Sequence, residues 1–269
     1  MKFFLVFFIT SVSLVAQSIP NVKVFYEANE NGFTLFADNN ELCPVSLVLS
    51  FKLENLKATT NRQTIFVIPP LQKKYPFTLL KTIGLGKYGF SYKFQSVLGN
   101  VLIDTYDLNY TYDLPFEKGQ SFSVGQGYNG ILTHQGLNAI DFIMPEGTPV
   151  LAVKGGLVIK TDDTQTKHGY GAEFAKFNNY ILVLHQDGTM ASYLHLRTSS
   201  ALVKPGDSVM AGQKIALSGN TGWSSGPHLH LEVYLPKVLK KQTLQTKFKI
   251  DDGNTAVYLL ENKSYKRDY

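Results

Sequence analysis

The chain has 269 residues, of which 44% are apolar and 17% charged, enough to bury one large or two ordinary domains and too apolar for a disordered segment. Its formal charge is +5, but the basic residues are dispersed. Their densest run (Lys237, Lys240, Lys241, Lys247, Lys249) ends beside Asp251 and Asp252, which reads as a solvated face and not as the stripe of a nucleic-acid binder. Cys43 is the single cysteine, so an internal disulfide is excluded, and a small buried apolar role is expected of it.

In chain order, residues 1–18 (MKFFLVFFITSVSLVAQS) place Lys2 before a short apolar run that ends in small residues, the layout of a secretory signal peptide. The run is too short for a transmembrane helix, and no later segment reaches that length, so no membrane span is expected after its removal. Export to the periplasm or the outside follows as the expectation, and the modest basic bias would suit anionic envelope polymers.

Residues 20–112 are read as an antiparallel β-sandwich-like accessory domain. Val45, Leu47, Leu49, Phe51 and Leu53 alternate on one strand, and Tyr88, Phe90, Tyr92 and Phe94 on another. That aromatic stripe is read as core, with a structural, spacing or occluding role; wall or partner binding is the other reading. Tyr112–Gly119 (YDLPFEKG) combines Pro, Gly and charge as an expected linker.

Residues 113–236 again alternate, as in Tyr180–Leu184, with turns at Gly147, Gly188, Gly206 and Gly219, so a second β-rich domain is expected. Within it the polar stretch from Asp162 to Asn179 is long for a hairpin loop and is a candidate groove wall. Residues 237–269 are read as a C-terminal extension forming a hairpin at its Asp-Gly turn.

All six histidines lie beyond the first domain. In GPHLHLEV, His228 and His230 are two apart on an expected strand and so share a face, while Leu229 and Leu231 turn to the core. THQGLNAIDFIMPEGTPV offers His134 and Asp141, a nitrogen and an oxygen donor of the kind zinc accepts. In SYLHL, Tyr193 and His195 are expected on the face away from the core. His185 and His168 lack a partner pattern and read as turn or surface residues. SGNTGWSSG lacks the lysine and the strand-helix order of a phosphate loop and reads as a tight wall with Trp223 at its rim.

Taken in order, HQGLNAIDFIMPEGTPV, HQDGTMASYLHL and VKPGDSVMAGQKIALSGNTGWSSGPHLHLEV resemble the lysostaphin-type (LytM-like) zinc metallopeptidases across essentially the whole second domain. The resemblance implies Zn2+ held by His134, Asp141 and His230, with His195 and His228 catalytic, one acting on the water and the other on the transition state in an order left open. It also implies an exported endopeptidase acting on peptidoglycan peptides. The family's common pattern places its aspartate four residues after the first histidine, where this chain has Asn138; Asp141 comes seven after. The match of AIDFIMPEGTPV selects Asp141, with the extra residues as an enlarged turn. Two other readings share the fold: a catalytically silent domain that regulates wall hydrolases, and a zinc peptidase acting on other proteins.

Overall fold

The computed structural model describes residues 19–60 and 63–269, so the expected signal peptide lies outside the described residues. The fold is all-β: strands carry it, and a six-residue 3-10 turn, Ala172–Phe177, interrupts them.

Among the described residues, seven strands between Val22 and Leu98 form two sheets. One runs, in spatial order, Val22–Asn29, Gly32–Asn39, Tyr75–Thr82 and Leu56–Ala58; the other, Ile65–Ile68, Val45–Glu54 and Gly89–Leu98. The alternating Val45, Leu47 and Leu49 bury against Leu35, Ala37, Phe66, Ile68 and Leu80, so the two sheets close over one core. The aromatic stripe divides. Phe90 and Tyr92 pack against that core, with Phe90 4.9 Å from both Tyr26 and Phe33 between ring centroids. Tyr88 and Phe94, at 52% and 40% exposed, do not.

The expected linker is a correction. Tyr112, Leu114 and Phe116 are buried in the second core, and partners distant in the chain meet backbone polar groups that go in with them: Leu151 N–H donates to Pro115 O, Leu114 N–H to the Tyr269 hydroxyl, and the Arg267 guanidinium to Phe116 O. The last two partners come from the C-terminal stretch. That stretch forms the hairpin Lys247–Ile250 with Thr255–Tyr258, lays Lys247–Ile250 beside Thr111–Tyr112, and adds Ser264–Lys266 to the edge strand Ser121–Gln126. Its Phe248 and Leu259 enter the same core as Tyr112.

The large sheet has the spatial order Ser208–Val209, Gly156–Asp162, Tyr180–Leu184, Met190–Leu194, Leu229–Leu235, Ala139–Phe142, Ser121–Gln126, Ser264–Lys266. Leu229–Leu235 is buried along its whole length. On one face Leu229, Leu231, Val233 and Leu235 join Ile140, Phe142, Ala191 and Tyr193 in the core. The other face therefore carries His230, Glu232 and Tyr234. The first unit docks on that second face: Cys43 packs with Ile159, Leu182, Met190 and Tyr234. Burial pushes the Cys43 thiol up to about 12, so it behaves as a small apolar residue.

Two charged or titratable groups differ from the solvated reading. Lys241 is buried against Glu232, while Lys240 and Lys247 remain exposed. His185 occupies its turn with the ring inside: Nδ1 donates to Gly155 O at 2.9 Å, and burial lowers its pKa to about 4. A folded pKa below the unfolded 6.5 means that the unfolded chain binds the proton more readily, so this contribution is complete above pH 6.5 and is lost as pH falls towards 4. Its upper size is about 3 kcal/mol. Urea unfolding should therefore show wild type losing more stability between pH 7 and pH 4 than His185→Asn, which keeps a donor near Nδ1 but does not titrate; parallel losses would show that His185 does not contribute.

Candidate metal centre

The central strand fixes the site. Asp141 lies directly opposite His230 in the antiparallel register, so both side chains stand on the same face of the sheet. On the far side of Asp141 its cross-strand neighbour is Gln126. Gln126 Nε2 donates to Asp141 Oδ2 at 3.0 Å, and Gln126 Oε1 accepts the backbone N–H groups of Leu132 and Thr133 at 3.1 and 2.9 Å. One amide thus orients the carboxylate and shapes the turn that delivers His134. Nothing in a lone glutamine at the end of a strand marks it for this task in the sequence.

Three donor atoms meet. His134 Nε2 is 3.3 Å and His230 Nδ1 2.9 Å from Asp141 Oδ1, and the two nitrogens are 3.2 Å apart. His134 Nδ1 faces Gly127 O at 3.0 Å, which places its proton there and leaves a lone pair at Nε2. Lone pairs so converged repel unless a cation lies among them. Tetrahedral coordination at 2.0–2.1 Å implies donor separations of about 3.3 Å. The three buried residues fit a zinc ion in both donor chemistry and spacing. Asn138 takes no part: its backbone N–H and its side-chain amide donate to Thr243 at 2.8 and 2.9 Å, bracing the enlarged turn against Gln242–Thr243.

His195 and His228 border this cluster. The ring centroid of His195 is 4.5 Å from that of His228 and 5.9 Å from that of His230. His195 donates from Nδ1 to Thr221 O at 2.7 Å, and His228 from Nδ1 to Gly226 O at 2.8 Å. His228 Nε2 comes within 3.9 Å of Asp141 Oδ1. Both rings therefore turn Nε2 away from a committed backbone carbonyl. The expectation that Tyr193 shares the His195 face is corrected. Tyr193 points into the core, where its hydroxyl accepts Val153 N–H at 2.8 Å. His195 lies past the strand end with φ 63°, a left-handed backbone that breaks the alternation and carries the ring to the site.

The charges are mutually adjusted. Burial alone would raise the Asp141 carboxyl, but when His134 and His230 carry a proton on the nitrogen that faces it, their hydrogen bonds and charge hold it well below the usual carboxylate range. Burial opposes charge on His134, yet the hydrogen bond and charge of Asp141 raise its pKa. Burial dominates at His230 and lowers it. His195 falls well below its ordinary value through burial, then through His228 and His230, so it is neutral at physiological pH.

The cluster opens into a groove of about 420 Å3 whose walls include Ile143, Tyr170, Trp223 and Ser224. Tyr170 belongs to the Asp162–Asn179 stretch, whose His168–Gly169 pairs in parallel with Gly222–Trp223. Gly222 has φ 78°, and a Cβ there would collide with Asn178 Oδ1, the acceptor of the Trp223 N–H. That loop is therefore a wall of the groove, with Trp223 beside it, and His168 stays outside, exposed.

Residues 134–244 match the model of Peptidase family M23. The peptidoglycan DD-endopeptidase ShyA of Vibrio cholerae is 45% identical over 96 residues, 36% of this chain and 20% of that protein. Lysostaphin of Staphylococcus simulans is 39% identical over 107 residues, 39% of this chain and 19% of that one. The chain thus spans about a fifth of the length of these two relatives. Among solved structures, the catalytic domain of lysostaphin from Staphylococcus simulans aligns with 48% of this chain and 88% of its own, at 29% identity and a TM-score of 0.33. Both the ordered motifs and the family match fall on the segment that builds the histidine and aspartate cluster, and it is over residues 134–244 that this chain is similar to Peptidase family M23.

Proposed function

We propose that this chain is an exported zinc metalloendopeptidase that hydrolyses peptide bonds in peptidoglycan stem peptides or their cross-links. One observation carries the reading: three buried donor atoms at tetrahedral spacing are flanked by two further imidazoles inside a family M23 segment. The names of its relatives, a peptidoglycan DD-endopeptidase and lysostaphin, support the substrate class. No helix among the described residues is long and apolar enough to cross a membrane.

His134, Asp141 and His230 hold the metal in this reading. When bound, zinc supplies Lewis acidity, polarising a carbonyl and lowering the pKa of water towards about 7. The remaining work belongs to the protein. His195 and His228, each with Nδ1–H committed to a carbonyl, offer Nε2 as a proton acceptor. Burial keeps His195 neutral and so available as a base. The imidazolium formed when one ring takes the water's proton can return that proton to the leaving amine nitrogen, while the other ring stabilises the developing oxyanion when it too is protonated and donates its Nε2–H. Ile143, Tyr170 and Trp223 line the groove in which an extended peptide would lie.

Two experiments test the reading. His195→Ala should retain zinc yet release muropeptides from purified peptidoglycan at least 100-fold more slowly; an untouched wall beside clean cleavage of a protein panel would redirect the activity to other proteins, and zinc-loaded protein inert on both would indicate a silent domain. Asp141→Ala should emerge from dialysis without zinc, whereas Asn138→Ala should keep wild-type zinc content while losing about 1–2 kcal/mol of stability with its hydrogen bonds. Loss of zinc from the Asn138 variant alone would reverse the ligand assignment.

A further inference from the structure

His230 meets the donor cluster through Nδ1. Its other nitrogen, Nε2, is buried and has no hydrogen-bond partner among the described residues. Two residues along the same strand, Glu232 is 1% exposed, and its Oε2 is likewise buried without a partner. Its Oε1 is held by the Lys241 ammonium, which also lies 4.9 Å from the Tyr234 ring centroid. Strand alternation places His230 and Glu232 on one face with Cα atoms about 7 Å apart, within reach of a glutamate side chain. An unmet buried donor and an unmet buried carboxylate oxygen are each costly, and linking the two would remove both costs. Glu232 is close enough for its charge to act on both His134 and His230.

We infer that Glu232, anchored by Lys241, is a positioning residue that accepts the Nε2–H of His230 across one trapped water, and so fixes that ring with its Nδ1 lone pair towards the metal. This rests on the metal-centre reading of the proposed function. An imidazole that binds metal through Nδ1 must carry its proton on Nε2, and a carboxylate acceptor there selects that tautomer and makes the ligating nitrogen more basic. Lys241 occupies one carboxylate oxygen and leaves the other for the imidazole. It also lines a cavity of about 520 Å3 between the large sheet and the strand Gly89–Leu98. The line Lys241, Glu232, His230 thus runs from beneath the first unit to the metal centre.

Zinc affinity of the full chain, read by competition with a chromophoric chelator, tests this. Glu232→Gln alone would leave the Lys241 ammonium buried without a counter-charge, so Glu232→Gln/Lys241→Met, which removes both charges, is the decisive variant. Its zinc dissociation constant should rise about 10- to 100-fold, with the metal-free protein still unfolding cooperatively. In zinc-loaded protein carrying 15N-histidine, the His230 Nε2–H should exchange with water faster than in wild type. If the double variant does not fold, Glu232→Asp, which keeps the charge and withdraws the oxygen by one methylene, should still weaken zinc binding at least threefold. A folded variant with wild-type affinity and wild-type exchange overturns the role of Glu232. If wild type binds zinc and His230→Ala does not, the metal centre stands whatever Glu232 does; if wild type binds none, both readings fall.

Discussion

Asp141 and His230 face each other across two antiparallel strands, and the site is organised around that pairing. A carboxylate and an imidazole at neighbouring positions of a sheet are close because the backbone ladder makes them so, and moving them apart would require breaking the ladder. Leu229, Leu231 and Val233 hold the His230 strand from behind by filling the core. Gln126 holds Asp141 from the side, and Gly127 O orients His134. The remaining donors are thus brought to a carboxylate whose place the register has already set. The same burial that makes the cluster costly without a cation keeps His195 neutral beside it.

Alternation was legible wherever the strand continued. GPHLHLEV reads correctly because nothing between His228 and Leu235 disturbs a period of two, and Val45, Leu47 and Leu49 read correctly for the same reason. SYLHL misleads because alternation assumes an extended backbone and His195 leaves it, which returns Tyr193 to the core. Tyr112–Gly119 carries the Pro, Gly and charge of a linker, yet its buried partners arrive from residues more than a hundred positions later, beyond any local pattern. Lys241 sits in a lysine-rich run and differs from its neighbours through a partner nine residues earlier on the central strand, the carboxylate of Glu232. Gln126 was invisible because its role depends on which strand lies beside it.

The large sheet also joins the two units. One of its faces holds the cluster of His134, Asp141 and His230 at one end and receives Cys43 and its neighbours at the other. Leu194 and Tyr180, packed with Leu137 and Trp223, separate the two. The first unit therefore rests on the layer from which the histidines project, and any rearrangement of its Gly89–Leu98 strand would reach the Lys241 side of that layer first.

The braced turn between His134 and Asp141 has a consequence of its own. His134 is placed by Gly127 and Gln126, Asp141 by strand register, and Asn138 ties the intervening residues to Thr243. The number of residues joining the two donors is thereby uncoupled from their separation in space. A search for related domains that fixes this interval would pass over chains built like this one, whereas a search keyed to the strand pairing would find them.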